Sequence, residues 1–277
     1  MPPFSFKKQC QWCIQHEAAK RGEESDDAIQ QVIPAPWVQR SANPIQITQI
    51  IVGLNVLVFL AMGVTGTSIF NPPIQNLLQW GANWGPLTIA APWHLGSITI
   101  AGQWWRLLAY MFLHGGIIHI GFNMWCLWDL GALAESLYGS WTFTGIYLLT
   151  GVGAGLSSVA WHPNEPSVGA SGAIFGIAGA LVASFYLGEF SLPRVAIQGV
   201  QRSVALFVIY NLVFGAFSGL TDNAAHVGGL VFGLILGALV AKLAPDHNDV
   251  FRRAAVLLFV AFCIFAGAIW LRAHLLG

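Results

Sequence analysis

The sequence predicts an all-α, polytopic transmembrane helical bundle of seven spans, and three observations carry that expectation. First, 56% of the 277 residues are hydrophobic and 9% are charged, against about 25% charged in an ordinary soluble domain. Second, ten of the 24 charges fall in residues 1–43, leaving 14 for the other 234, too few to cover a soluble globule. Third, seven apolar runs approach the roughly 20 residues that a helix needs to cross a bilayer. The alternation of a transmembrane β-barrel is absent, so a helical bundle is the spanning architecture that remains. A soluble enzyme, a disordered chain and a secreted disulfide scaffold are thereby excluded. With zero net charge and no long basic run, a nucleic-acid surface is excluded too.

Residues 1–43 read as a charged cytoplasmic tail made flexible by Pro34 and Pro36. It is too acidic for a transit peptide, and the first apolar run starts only near residue 45, so no signal peptide is expected. Cys10-Gln-Trp-Cys13, with His16 three residues on, looks like half of a zinc site. A closed site needs four ligands and no second cysteine pair follows, so metal binding is the weaker reading and no cofactor is expected.

Span one covers about 46–65. The long loop from about 66 to 113 carries Trp80, Trp84, Trp93, Trp104 and Trp105, which places it at the water–lipid boundary. Within it, Leu87–Ala90 and Ser97–Ile100 are expected to be extended. Spans two to seven cover about 114–137, 141–161, 170–188, 202–219, 224–243 and 254–273. The third, fourth and sixth are rich in Gly and Ala, as membrane helices are where they pack closely. Three regions follow: the tail 1–43, a six-span core 44–243, and a linker with the seventh span, 244–277.

Alternating through seven spans places ten Lys and Arg on one side and only Arg106 and Arg272 on the other. By the positive-inside rule the N-terminus is cytoplasmic and the C-terminus outside, in a plasma (inner) membrane. Spans two, four and six then all run from outside to inside. Their first turns hold His114, His119 and Asn123; Gly169-Ala-Ser171-Gly172; and Asp222 to His226. Polar groups in a span are expensive and mark function by default.

Their convergence fits amide hydrolysis. A serine hydroxyl is a weak nucleophile until a neighbouring base takes its proton, and His226 can be that base for Ser171. The side chains of Asn123 and His119, four residues apart and on one helix face, can join the Ser171 backbone N–H around a developing oxyanion. No acidic residue lies at an obvious third position, so a dyad is expected, with Asp222 capping span six. Gly169 and Gly172 flank the serine where a loop turns into a helix. Gly229, Gly233 and Gly237 in span six match Gly172, Gly176 and Ala180 in span four as small faces. Position 173 is Ala, so this is not the Gly-x-Ser-x-Gly elbow of soluble hydrolases.

Trp105-Arg106, the His114 to Asn123 stretch, Gly-Ala-Ser171-Gly and Ala-His226-x-x-Gly229 together resemble the rhomboid intramembrane serine proteases. The resemblance covers roughly 44–243 with every motif in order. It implies a six-helix core whose fourth span is short and starts from a loop below the surface. It implies Ser171 as nucleophile, His226 as base, and His119 and Asn123 at the oxyanion site. Trp105 and Arg106 would order the first loop, and Gly229 would pack span six on span four. Phe175 stands where some members have Tyr under the histidine, and a seventh span after the core is a variant the family shows. The implied partners are transmembrane protein substrates within the lipid bilayer.

Simpler readings stand beside this one. Taken alone, Gly-Ala-Ser-Gly is more often helix packing, and His226 is as readily a structural histidine as a base; the ordered constellation at one depth outweighs both. His114 reads as structural, anchoring the loop through hydrogen bonds. Asn55, Tyr210 and Asn211 read as interhelical contacts, and Glu135 as a hydrogen-bonding group far from the site. Three rivals remain. One is a non-catalytic rhomboid-like binder of client helices, which an intact Ser171 and His226 argue against. Another is a proton-coupled transporter using His119 and His226, against which the lack of sequence repeats argues. A metalloprotease lacks its His-Glu-x-x-His.

Overall fold

A computed structural model describes residues 46–95, 98–188, 194–218, 221–246 and 249–276. The tail and its Cys10, Cys13 and His16 lie outside the described residues. The chain forms α1 (Ile47–Val64), α2 (Ile74–Trp80), a π-helical turn (Pro86–Ala90), the strands β1 (Pro92–Leu95) and β2 (Ile98–Ala101), and α3 (Arg106–Ala109). There follow α4 (Ile117–Tyr138), α5 (Ser140–Trp161), α6 (Ser171–Leu187), α7 (Arg194–Ser218), α8 (Asn223–Leu243) and α9 (Val250–Leu276). Five of these, α1, α4, α5, α8 and α9, are long and apolar enough to cross a membrane; α6 and the Gln201–Phe217 part of α7 are shorter apolar helices. Together they account for the seven apolar runs.

Two expectations shift. Leu87–Ala90 is helical rather than extended: Pro86 opens the turn, and the Thr88 hydroxyl accepts from Trp84 N at 3.1 Å and donates to Asn83 Oδ1 at 2.8 Å. The other expected segment, Ser97–Ile100, does overlap a strand, β2, which pairs antiparallel with β1, Trp93 opposite Ile100. α7 begins at Arg194, eight residues before the expected 202, because the helix extends ahead of the apolar Gln201–Phe217 stretch.

α6 is the centre of the bundle. It is apolar all round and buried along most of its length, as a helix without a solvent or lipid face must be. α4, α5, α7 and α8 pack around it. At 17 residues it spans about 26 Å, short of a hydrocarbon core of about 30 Å. The outer helices turn large apolar side chains outward, such as Leu57 and Leu60 on α1 and Phe262 and Phe265 on α9. In water this would be a large sticky surface; against lipid tails it is neutral.

The α6–α8 contact is backbone on backbone. A methyl placed on Gly229 would strike the Gly172 carbonyl oxygen, and one on Gly233 the Gly176 oxygen. On Gly237 it would lie 2.5 Å from the Ala180 oxygen. Small residues at four-residue spacing permit this approach, which fixes α8 in register along α6.

Buried polar groups tie the ends of the bundle. The Glu135 carboxylate accepts from Ile47 N and Thr48 N (both 2.9 Å) at the start of α1, from the Thr48 hydroxyl (2.7 Å), and from Ser140 at the start of α5 (2.7 Å). Arg253, in the first turn of α9, donates to the carbonyls of Tyr138 (2.5 Å) and Ala244 (3.2 Å). The Asn55 side chain interacts with Tyr147 on α5, an interhelical contact as expected, whereas the amide hydrogen bond of Asn211 stays within its own helix. Each amide donates to a carbonyl one turn back in its own helix, Ile51 and Phe207, both at 2.8 Å.

Candidate active site

Ser171 is the first residue of α6 and is reached through Gly169, whose φ of 125° is left-handed backbone that only glycine adopts readily. The Gly169 N–H is held by the Tyr110 carbonyl at 2.9 Å, and the Tyr110 hydroxyl donates to Gly151 O on α5 at 2.6 Å. The loop before the serine is thus pinned to the bundle from outside α6.

His226 lies in the first turn of α8, where the Asp222 carboxylate caps the helix by accepting from Ala225 N at 2.9 Å. With α8 fixed in register on α6, the His226 Nε2 meets Ser171 Oγ at 2.9 Å, within reach of a proton transfer. Phe175, one turn after Ser171 on the same face of α6, lies under the imidazole: the ring centroids are 4.3 Å apart and the planes within 6°. Phe207 from α7 backs Phe175 at 5.4 Å. His226 Nδ1 has no hydrogen-bond partner among the described residues; nor does Asp222 Oδ2, while Asp222 Oδ1 serves the cap.

Donors meet on the other side of the serine loop. The Gly115 N–H donates to His119 Nδ1 at 3.2 Å, which makes Nδ1 the acceptor of a neutral ring and leaves the proton on Nε2. A methyl built on Gly169 would lie 2.9 Å from that Nε2 and 3.6 Å from Asn123 Nδ2, so both donors border the space beside Gly169. The Asn123 amide nitrogen is buried and has no partner among the described residues. A buried orphan donor costs stability, so its persistence calls for a use. His114 is fully buried with its ring edge-on to His119, centroids 5.2 Å apart. Its ring makes a polar contact with the Phe112 backbone, in the loop just ahead of α4.

Ser171, His226, His119, Asn123, Gly169, Phe175 and His114 therefore share one locus, with Gly172 and Gly229 directly beneath it. Trp105 and Arg106 stand apart, in the long loop. The buried Arg106 donates to the carbonyls of Leu78 (2.8 Å) and Ala82 (3.0 Å), and its guanidinium lies 4.8 Å from the Trp105 ring centroid. Burial draws its pKa below the usual arginine value.

A rhomboid domain model matches residues 101–243, just over half of the chain. The chain belongs to the rhomboid family. It is 31% identical to the rhomboid protease AarA of Providencia stuartii over 231 residues, 75% of this chain and 76% of that one. It is 34% identical to the rhomboid protease GluP of Bacillus subtilis (strain 168) over 191 residues, 69% of this chain, and 35% identical to RHOMBOID-like protein 4 of Arabidopsis thaliana over 149 residues, 54% of this chain. The matched region is only about a third of each of those two relatives, 34% and 37% of their lengths. Like other rhomboids it is an integral membrane protein with several spans.

Sequence reasoning missed the groups that hold this rhomboid site from behind. Tyr110 is one; Asn83, buried in the long loop, is another. Asn83 exchanges both backbone hydrogen bonds with Ser167 and donates from its amide to Gly155 O at 2.8 Å. Neither sits in a span, where a polar residue would stand out.

Proposed function

We propose that this rhomboid-family protein is an intramembrane serine endopeptidase that cleaves transmembrane segments of other membrane proteins with a Ser171–His226 dyad. The observation that carries the reading is the 2.9 Å approach of His226 Nε2 to Ser171 Oγ, with two donors bordering the space beside it. Ser171 Oγ attacks the scissile carbonyl as His226 Nε2 takes its proton. The oxyanion is met by His119 Nε2–H, the Asn123 amide and the Ser171 N–H, an arrangement that uses the orphan donor. His226 then protonates the leaving amine, and the acyl-enzyme is hydrolysed by a water that His226 activates in turn. The Phe175 ring keeps the imidazole facing the serine through both steps.

The core 44–243 carries this chemistry, and 244–277 adds the seventh span. Orientation follows from the ten-to-two distribution of Lys and Arg: N-terminus cytoplasmic, site in the outer half of the bilayer. The test is cleavage of a generic transmembrane substrate in liposomes. Ser171→Ala and His226→Ala are each expected to abolish it, and a fluorophosphonate to label Ser171 in the parent. Cleavage by either variant at the parental rate refutes the dyad. No labelling of the parent, with client helices still bound, makes the protein a non-catalytic binder.

A further inference from the structure

The positive-inside pattern leaves two arginines on the far side, Arg106 and Arg272. Arg106 holds backbone carbonyls of the long loop, and Arg272 does the same from a different part of the chain. It lies four residues before the end of α9, half-buried, and its Nε donates to Ile89 O at 2.9 Å. The seventh span therefore reaches across to the π-helical turn, against which it packs.

That turn is a junction. The five-residue π turn closes with a wide hydrogen bond, Ala91 N to Pro86 O at 2.9 Å, and two of its carbonyls bond to other parts of the chain. Gln103 N takes the Leu87 oxygen at 3.1 Å, which joins the turn to the Trp105-Arg106 segment. Arg272 takes the Ile89 oxygen. Between these two, the fully buried Thr88 donates to Asn83 Oδ1 at 2.8 Å. Asn83 in turn exchanges its N–H and C=O with Ser167, at 3.0 and 2.8 Å, and Gly85 N donates to Pro163 O at 3.0 Å. Ser167 stands two residues before Gly169 and four before Ser171. Hydrogen bonds joined by the main chain at Thr88–Ile89 and Asn83 thus lead from the seventh span, through the π turn, to the loop that presents the serine.

We propose that Arg272 is a positioning residue: through Ile89 it braces the π turn and so sets the loop that carries Gly169 and Ser171. This rests on Ser171 and His226 being the catalytic pair. The brace also accounts for a cation in a span's outer half, where it runs against the general charge bias. A shift of about 1 Å transmitted to the reacting groups is enough to cost up to about 100-fold in rate.

The test uses two variants of equal length in the full chain, reconstituted in nanodiscs. In Arg272→Gln the amide nitrogen sits the same number of bonds from the backbone as Nε and can still donate to Ile89 O. In Arg272→Met a methyl carbon occupies that place and cannot. Arg272→Met is expected to lower kcat and the fluorophosphonate labelling rate of Ser171 by about tenfold or more, with KM unchanged. Its amides at Ala91, Gln103 and Ser167 are expected to exchange hydrogen faster than the parent's. Arg272→Gln is expected to stay close to the parent in every readout. Parental labelling and exchange in Arg272→Met, or an equal defect in Arg272→Gln, overturns the proposal. If the parent itself is not labelled at Ser171, the catalytic reading falls, and the Met–Gln contrast in exchange still decides whether the brace exists.

Discussion

Replacing Gly229 with Ala tests whether the backbone contact between α6 and α8 aligns the Ser171–His226 pair. Side-chain β-carbons essentially never approach a neighbouring heavy atom within 3.0 Å. At Gly237 the nearest atom to an added methyl is the Ala180 oxygen at 2.5 Å, so the helices must part there by at least 3.0 − 2.5 = 0.5 Å. At Gly229 the approach to the Gly172 oxygen is closer still, and the obstacle is main chain, which cannot swing aside. The Ser171–His226 separation is 2.9 Å, and a productive hydrogen bond extends to about 3.2 Å, so the slack is only about 0.3 Å. Gly229→Ala therefore exceeds it. We expect overpacking to cost about 1–3 kcal/mol of stability and misalignment to lower kcat/KM by up to about 100-fold. Gly237→Ala provides the comparison: it lies 237 − 229 = 8 residues further along α8, about 12 Å, and should lose stability with a much smaller effect on rate. Gly267→Ala on α9 meets nothing within 4 Å and should change neither. Cleavage in liposomes and thermal unfolding in detergent measure the two effects separately. A Gly229→Ala protein that cleaves within about twofold of the parent and melts at the same temperature would show that the seam does not set the site's geometry.

Three further outcomes are expected. Asn123→Ala removes an unpartnered donor, so stability should hold while kcat falls by about 100- to 1,000-fold, read by single-turnover cleavage. Phe175→Leu keeps apolar volume under His226 but loses the ring face; since a ring pair contributes about 0.5–1.5 kcal/mol, kcat/KM should fall about 2- to 10-fold. Glu135→Ala strands donors on α1 and α5 at about 1–3 kcal/mol for each one left buried, lowering the melting temperature, and Glu135→Gln should lose less. With 135 − 119 = 16 helical residues, about 24 Å, between Glu135 and His119, the rate per folded molecule should stay at the parental value.

The spans were legible because twenty apolar residues in a row have few alternatives, and the candidate site because a polar side chain inside such a run is conspicuous. Ser171, His226, His119 and Asn123 stood out for that single reason. Where the chain leaves the apolar runs, that contrast disappears. Leu87-Thr88-Ile89 has the β-branched composition of a strand, yet Thr88 is drawn into a π turn by its bond to Asn83, a tertiary contact that local pattern does not encode. The early start of α7 is hidden for a similar reason, since Arg194, Gln198 and Gly199 interrupt the apolar residues of its first turns. Arg272 was visible only as one exception in a charge count; its partner, a carbonyl 183 residues away, belongs to the fold.

The α6–α8 seam also shapes how such a sequence can drift. A glycine can change only by gaining atoms, and at Gly229 and Gly233 the surface opposite is a carbonyl, which no substitution can shrink. A core built of side chains tolerates exchange because a loss on one helix can offset a gain on the other. Along this seam no such compensation is open, so lineages of this chain should hold its glycines as strictly as its serine, for reasons of shape rather than chemistry.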